Sequence, residues 1–277
     1  MTQTYPDHPN LNGNYAPLRM ECEVNDLIVE GEIPQDLYGS FYRNGPDPQF
    51  PPLGQYHWFG GDGMVHAFHF ENGKVSYLNR WSKTSKWQQE RKAGKSLIDG
   101  LNPMNSDPQW NPKGEDGTAN TSIIFHAGKL LALEEGHVPF ELDPITLESK
   151  GAYDYGGKLK SPMTAHPKID PVSGDMYGFS YTAGDFFSSK MSYFVINSKG
   201  ELKSYEEFEA PFASMVHDFM VTDQHIIFPI FPLTIDFDRA VKGQSPIAWD
   251  PDKGTHVGVM PRDGTVQDIQ WFDNEAK

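Results

Sequence analysis

An all-β architecture of short antiparallel strands is predicted by three features of this 277-residue sequence. Glycine (26) and proline (22) are abundant and aromatics reach 13%, a mixture that serves tight turns and pleated surfaces rather than helix bundles. Apolar runs are short and bounded by turn residues. From Asn120 onward, strand–turn–strand cycles recur at roughly 45 to 50 residues, about the span of a four-stranded propeller blade. Three or four cycles can be followed, so the chain is expected to supply the first four or so blades of a propeller. Four blades cannot close a wheel of six or seven, and the ring is expected to be open at its C-terminal end. A β-sandwich with long loops satisfies the same pattern. Residues 1–277 are read as one β domain, with 1–30 as an extended N-terminal arm.

Each element has a local reason. Pro34 to Gly39 is a turn leading into the strand Ser40–Arg43, and Asn44-Gly45-Pro46 is expected to stop it. The Gly60-Gly61-Asp62-Gly63 turn precedes the run Met64–Phe70. Glu71-Asn72-Gly73-Lys74 is a hairpin turn into Val75–Leu78. A short helix is expected over Lys86–Gly94. Thr121–Phe125, the turn His126-Ala127-Gly128 and Lys129–Glu134 begin the regular cycles, followed by Val138–Leu142. The next cycle contains Met163–Pro167, Met176–Tyr181 and Ser192–Asn197. A third contains Met215–Val221 and Ile226–Phe231, and a fourth begins near Gly258–Arg262.

The net charge of −15 and pI near 5.0 oppose binding to nucleic acid or to an anionic membrane face. The one cysteine, Cys22, cannot form an intramolecular disulfide, so a cytoplasmic location is expected. The N-terminus shows no signal peptide. Ile226–Leu233, the longest apolar stretch, is too short to span a bilayer, so no transmembrane segment is expected.

Two of the ten histidines stand apart. His166 in SPMTAHP and His217 in ASMVHDF lie 51 residues apart, each beside an apolar or small residue at the start of a strand-like run. Imidazole suits iron, zinc, copper and nickel, so the pair is a candidate metal site. His66 and His69, at i and i+3, point to opposite faces of a strand and are poorly placed to share an ion. Glu134-Glu135 follows the apolar strand 130–133. Adjacent carboxylates at a strand end are ordinarily solvated. The sharper possibility is that one of them accepts the ring N–H of a ligand histidine, fixing its tautomer. Gly60–Gly63 opens no helix and is no phosphate loop, and there is neither HExxH nor GxSxG.

The motifs GEIPQDLYGSFYRNGP (31–46), HWFGGDGMVHAFHF (57–70), NTSIIFHAGKLLALEEG (120–136), ELDPITLES (141–149), TAHPKIDPVSGDMYGFSY (164–181), MVHDFMVTDQHIIFP (215–229) and GVMPRDG (258–264) together resemble the N-terminal half or more of a carotenoid cleavage oxygenase. That family includes carotenoid, apocarotenoid and lignostilbene-type dioxygenases. The resemblance implies a seven-bladed β-propeller with iron(II) on its axis, held by four histidines from different blades. His166 and His217 match the first two. Glu135 matches a glutamate bracing the second histidine, and Phe59 an aromatic of the substrate cleft in the stilbene-type branch. The implied reaction cuts a C=C bond of a small apolar alkene with O2, giving two carbonyl products. The family's third and fourth histidines lie beyond the span matched here. Accordingly the alternative to an active iron dioxygenase is an inactive propeller fragment. Stilbene-type members usually carry lysine where Glu134 stands and tyrosine near Leu101. Neither is present, which counts against a 4-hydroxystilbene and leaves apocarotenoids open, so the expected substrate is an apocarotenoid or stilbene-like alkene.

Overall fold

The computed structural model describes residues 4–99, 106–112 and 117–274. They divide into two compact units, one of residues 1–134 and 139–153, the other of residues 135–138 and 154–277. Leu101 lies outside the described residues. No helix among the described residues is long and apolar enough to cross a membrane.

In the first unit β1 (Cys22–Val24), β2 (Gly39–Pro46), β3 (Gly63–Glu71) and β4 (Lys74–Trp81) form an antiparallel sheet in the order β1-β4-β3-β2. Asn72 and Gly73, at φ 53° and 71°, turn β3 into β4 with the twist a two-residue hairpin favours. β2 does not stop at Asn44. Its pairing runs on to Pro46 opposite Gly63, because an edge strand can hold a proline without losing a ladder bond. Asn44 Nδ2 also donates to Ala119 O and Ser122 O, each at 2.9 Å. Helix α1 (Ser85–Ala93) is capped by the Thr84 hydroxyl and ended by Gly94 at φ 70°. Its Lys86 ammonium lies between Asp62 Oδ1 at 2.8 Å and Glu90 Oε2 at 2.9 Å, all three buried. The aspartate of the Gly-Gly-Asp-Gly turn is therefore a buried ion-pair partner. The second sheet runs β5 (Ser122–His126), β6 (Lys129–Leu133), β7 (Phe140–Leu142), β8 (Ser149–Ala152) in sequence order. Val65, Ala67, Leu130, Ala132, Phe140 and Leu142 form this unit's apolar core.

In the second unit β9 (Lys168–Ile169), β10 (Met176–Ser180), β11 (Lys190–Ile196) and β12 (Leu202–Glu209) form a sheet in the order β12-β11-β10-β9. Next come β13 (Met220–Val221), β14 (His225–Ile230), the hairpin β15 (Leu233–Ile235) and β16 (Ile247–Trp249) with α2 (Phe237–Val241) between them, then β17 (Thr255–Pro261) and β18 (Gln270–Asn274). The sheet order is β13-β14-β17-β18. Phe179, Phe219 and Phe228 are 0–1% exposed and centre the core, with Phe219 stacked on Phe228 at 6.1 Å. Of the two histidine-bearing runs, Met163–Pro167 lies in no strand, β9 beginning only at Lys168, and Met215–Val221 pairs only at its end, in the two-residue β13. Pro162 and Pro167 supply no amide to a ladder. The amide of His166 is taken by Thr164 Oγ1 at 3.0 Å instead, and that of Met215 by Leu233 O.

Candidate metal centre

His166 precedes β9 by two residues and His217 precedes β13 by three, so each sits just before the edge strand of its own sheet. Buried neighbours anchor both. Met163, Thr164 and Ala165 lie before His166, and Val216 and Phe219 flank His217. Apolar burial of the flanks leaves the imidazoles as the groups that turn outward. Their Nε2 atoms face each other at 2.9 Å, with ring centroids 4.5 Å apart.

Glu135 reaches the same point from the turn after β6. Its Oε1 accepts from Nδ1–H of His217. Its Oε2 accepts from the Tyr181 hydroxyl at 2.7 Å. Two donors thus occupy both oxygens of a carboxylate whose side chain is 13% exposed. The proton assigned to Nδ1 leaves the His217 Nε2 lone pair directed at His166. Burial and the facing His217 ring push His166 below its ordinary histidine value, which favours the neutral imidazole that a metal requires.

Glu135, His166 and His217 are, among the described residues, the histidine–carboxylate group whose ligand atoms all lie within 4.8 Å. The donor set fits a divalent transition ion. Two neutral imidazole nitrogens with a carboxylate behind one ring are donors of the kind such an ion takes.

Other histidines have their own partners. His66 Nδ1 bonds the Tyr77 hydroxyl at 2.7 Å and His69 Nδ1 the Ser40 hydroxyl at 2.6 Å. His256 pairs with Asp273 at 2.7 Å. Phe59 belongs to the first unit, in the short turn Trp58–Gly60, 60% exposed with its ring against His57 at 4.3 Å. No sequence motif singles out Tyr181. It closes the motif 164–181, but nothing in a linear reading connects a tyrosine to a glutamate 46 positions earlier.

Antiparallel four-stranded sheets, two of them with a histidine just before an edge strand, define a β-propeller of the oxygenase type. The sequence model described as "Retinal pigment epithelial membrane protein" matches residues 15–276, and the chain belongs to that family, the carotenoid oxygenases. Similar proteins include an isoeugenol monooxygenase of Pseudomonas nitroreducens, 42% identical over all of this chain and 58% of that protein. A lignostilbene-alpha,beta-dioxygenase isozyme III of Sphingomonas paucimobilis is 41% identical over 97% of this chain and 56% of that one. The crystal structure of Pseudomonas brassicacearum lignostilbene dioxygenase superposes with a TM-score of 0.93 at 40% identity, covering 98% of this chain and 57% of that one. A cobalt-substituted Synechocystis apocarotenoid oxygenase matches at 0.78 and 30% identity, over 94% and 57%. The chain spans a little over half the length of the curated relatives it matches. The all-β propeller class expected from the sequence is the one found.

Proposed function

We propose that this chain carries part of a non-haem iron(II) dioxygenase that cleaves a C=C bond of a small apolar alkene, stilbene-like or apocarotenoid, into two carbonyl products. The single observation that carries the reading is the facing pair of Nε2 atoms, His166 and His217, with Glu135 fixed behind one ring. Overall, one C=C bond breaks, two C=O bonds form, and both oxygen atoms come from O2, so atoms balance without another reductant.

His166 and His217 would hold the ion as neutral donors. A bound redox-active ion supplies open positions and the electrons that activate O2, a chemistry closed to zinc, which has no redox states. Glu135 keeps the proton on His217 Nδ1 and adds negative charge behind the ring, making Nε2 a better donor. Tyr181 keeps Glu135 from turning away. No side chain here needs to act as a general acid or base, in keeping with the absence of a nucleophile–base motif. Phe59 is assigned to the alkene cleft on the resemblance alone. The identities of 40–44% to isoeugenol, resveratrol and lignostilbene oxygenases support a phenylpropenoid or stilbene at least as well as an apocarotenoid.

The test is metal content joined to product analysis. Protein loaded anaerobically with iron(II) is offered isoeugenol, a hydroxystilbene and an apocarotenal under ¹⁸O2. The expected outcome is iron binding lost in His166→Ala and His217→Ala, and label in both carbonyl products of one substrate. Iron binding indifferent to both substitutions overturns the reading. Iron binding without cleavage of any alkene favours the inactive propeller.

A further inference from the structure

The two candidate ligands stand on different sheets, and no backbone ladder joins β9 to β13. Side chains must therefore set their separation. The motif GVMPRDG, so far without a role, supplies the residue placed to do it. Arg262 follows β17, in the sheet of His217. Its own amide donates to Gln224 O at 2.8 Å and its Nη1 to Thr222 O at 3.3 Å, so it holds the turn just past β13. From there the guanidinium crosses to the other sheet. Nη2 donates to Asp170 Oδ2, in the residue just past β9. The guanidinium also lies over the Tyr177 ring at 4.8 Å, with Nη2 and Nε 3.0 and 3.1 Å from its hydroxyl.

The tie is built rather than incidental. The Arg262 and Asp170 side chains are 20% and 11% exposed. Asp170 Oδ1 is occupied by the amides of Val172 and Ser173, both at 2.7 Å, which leaves Oδ2 for the arginine. The other ends of the same two segments are joined by Lys168 Nζ and Asp218 Oδ1 at 2.7 Å. That pair is half exposed, and such pairs contribute little. A planar, charge-assisted guanidinium clamp stacked on an aromatic ring is the stiffer connection, and lysine cannot reproduce its fork.

We infer that Arg262 is a positioning residue for the metal site: by clamping Asp170 beside β9 to the turn after β13, it sets the spacing of His166 and His217. The inference rests on the metal-site reading above. Its test uses cobalt(II) alone as the probe, titrated into metal-free protein and read by its visible absorption, with thermal melting of the metal-free protein alongside. The variants are Arg262→Lys and Asp170→Asn, the second keeping an oxygen for the Val172 and Ser173 amides. Ile196→Val, in the buried part of β11, controls for general loss of stability. Cobalt binding is expected to weaken about tenfold in both variants, the low end for residues that orient metal ligands, with a shifted absorption band. Ile196→Val should leave affinity and band unchanged. Folded Arg262→Lys and Asp170→Asn proteins within twofold of wild type, or a loss matched by Ile196→Val, overturn the inference. Cobalt binding that survives His166→Ala and His217→Ala overturns the metal-site reading itself, a different result from binding that needs the histidines and ignores Arg262.

Discussion

Replacing Lys86 with methionine removes the one cation from a buried group of three charges. Lys86, Asp62 and Glu90 have side chains 8%, 2% and 2% exposed. Asp62 also accepts from the Gln49 amide at 3.0 Å, and Glu90 from the Leu97 amide at 2.9 Å. At an effective dielectric near 20, each ion contact contributes about 4 kcal/mol of attraction. Desolvation of the three groups offsets much of that, so the triad adds little net stability when intact. Breaking it is another matter. Methionine fills the space of the lysine stem but leaves two like charges without a counter-ion, a loss of about 3–5 kcal/mol. The variant can recover part of this by taking up a proton on one carboxylate. That raises a folded-state carboxyl pKa, so the variant binds more protons folded than unfolded. Its stability then falls as pH rises above the ordinary carboxylate range near 4. Urea unfolding followed by tryptophan fluorescence should show a large deficit at pH 7.5 and a smaller one at pH 5. The triple substitution Lys86→Met, Asp62→Asn, Glu90→Gln should regain most of it. A deficit below about 1 kcal/mol at pH 7.5, or one independent of pH, would refute the charge argument.

Burial pushes the Asp47 carboxyl up to about 6, so its contribution is fully present below pH 4 and lost as pH rises through 6. Asp47→Asn should flatten that part of the urea stability profile, by no more than about 3 kcal/mol, and an unchanged slope between pH 4 and 6 would count against the assignment. At the proposed metal centre, Tyr181→Phe and Glu135→Gln should each lower cobalt affinity roughly tenfold or more while the metal-free protein melts as before. Equal affinity in Tyr181→Phe would show that Glu135 keeps its place without the phenol.

Much of this fold could be read from the chain because its turns are chemically explicit. Asn72-Gly73 and Ala127-Gly128 all sit at positive φ, where the hairpin reading placed turns, and Thr84 and Gly94 bound the helix as their types predict. Legibility failed where apolar pattern and backbone pairing part company. Met163–Pro167 has the alternation of a strand, but prolines and a threonine hydroxyl take the place of a ladder. Ser149–Ala152 and Leu202–Glu209 lack the apolar run that marks a strand, yet both complete their sheets at an edge, where a neighbour is needed on one side alone. At the site, spacing and apolar flanks singled out His166 and His217. The resemblance chose Glu135 over Glu134. The roles of Tyr181 and Arg262 depend on contacts across 46 and 92 positions, and no local pattern encodes those.

The placement of one histidine beside each of two separate sheets has a thermodynamic corollary. An ion held by His166 and His217 is a cross-link between sheets that otherwise meet through side chains alone. Metal affinity and the cohesion of those sheets are then one linked quantity. Each tenfold rise of free ion above its dissociation constant adds about 1.4 kcal/mol against their separation. A change that parts the sheets weakens metal binding in proportion to the closed fraction it removes.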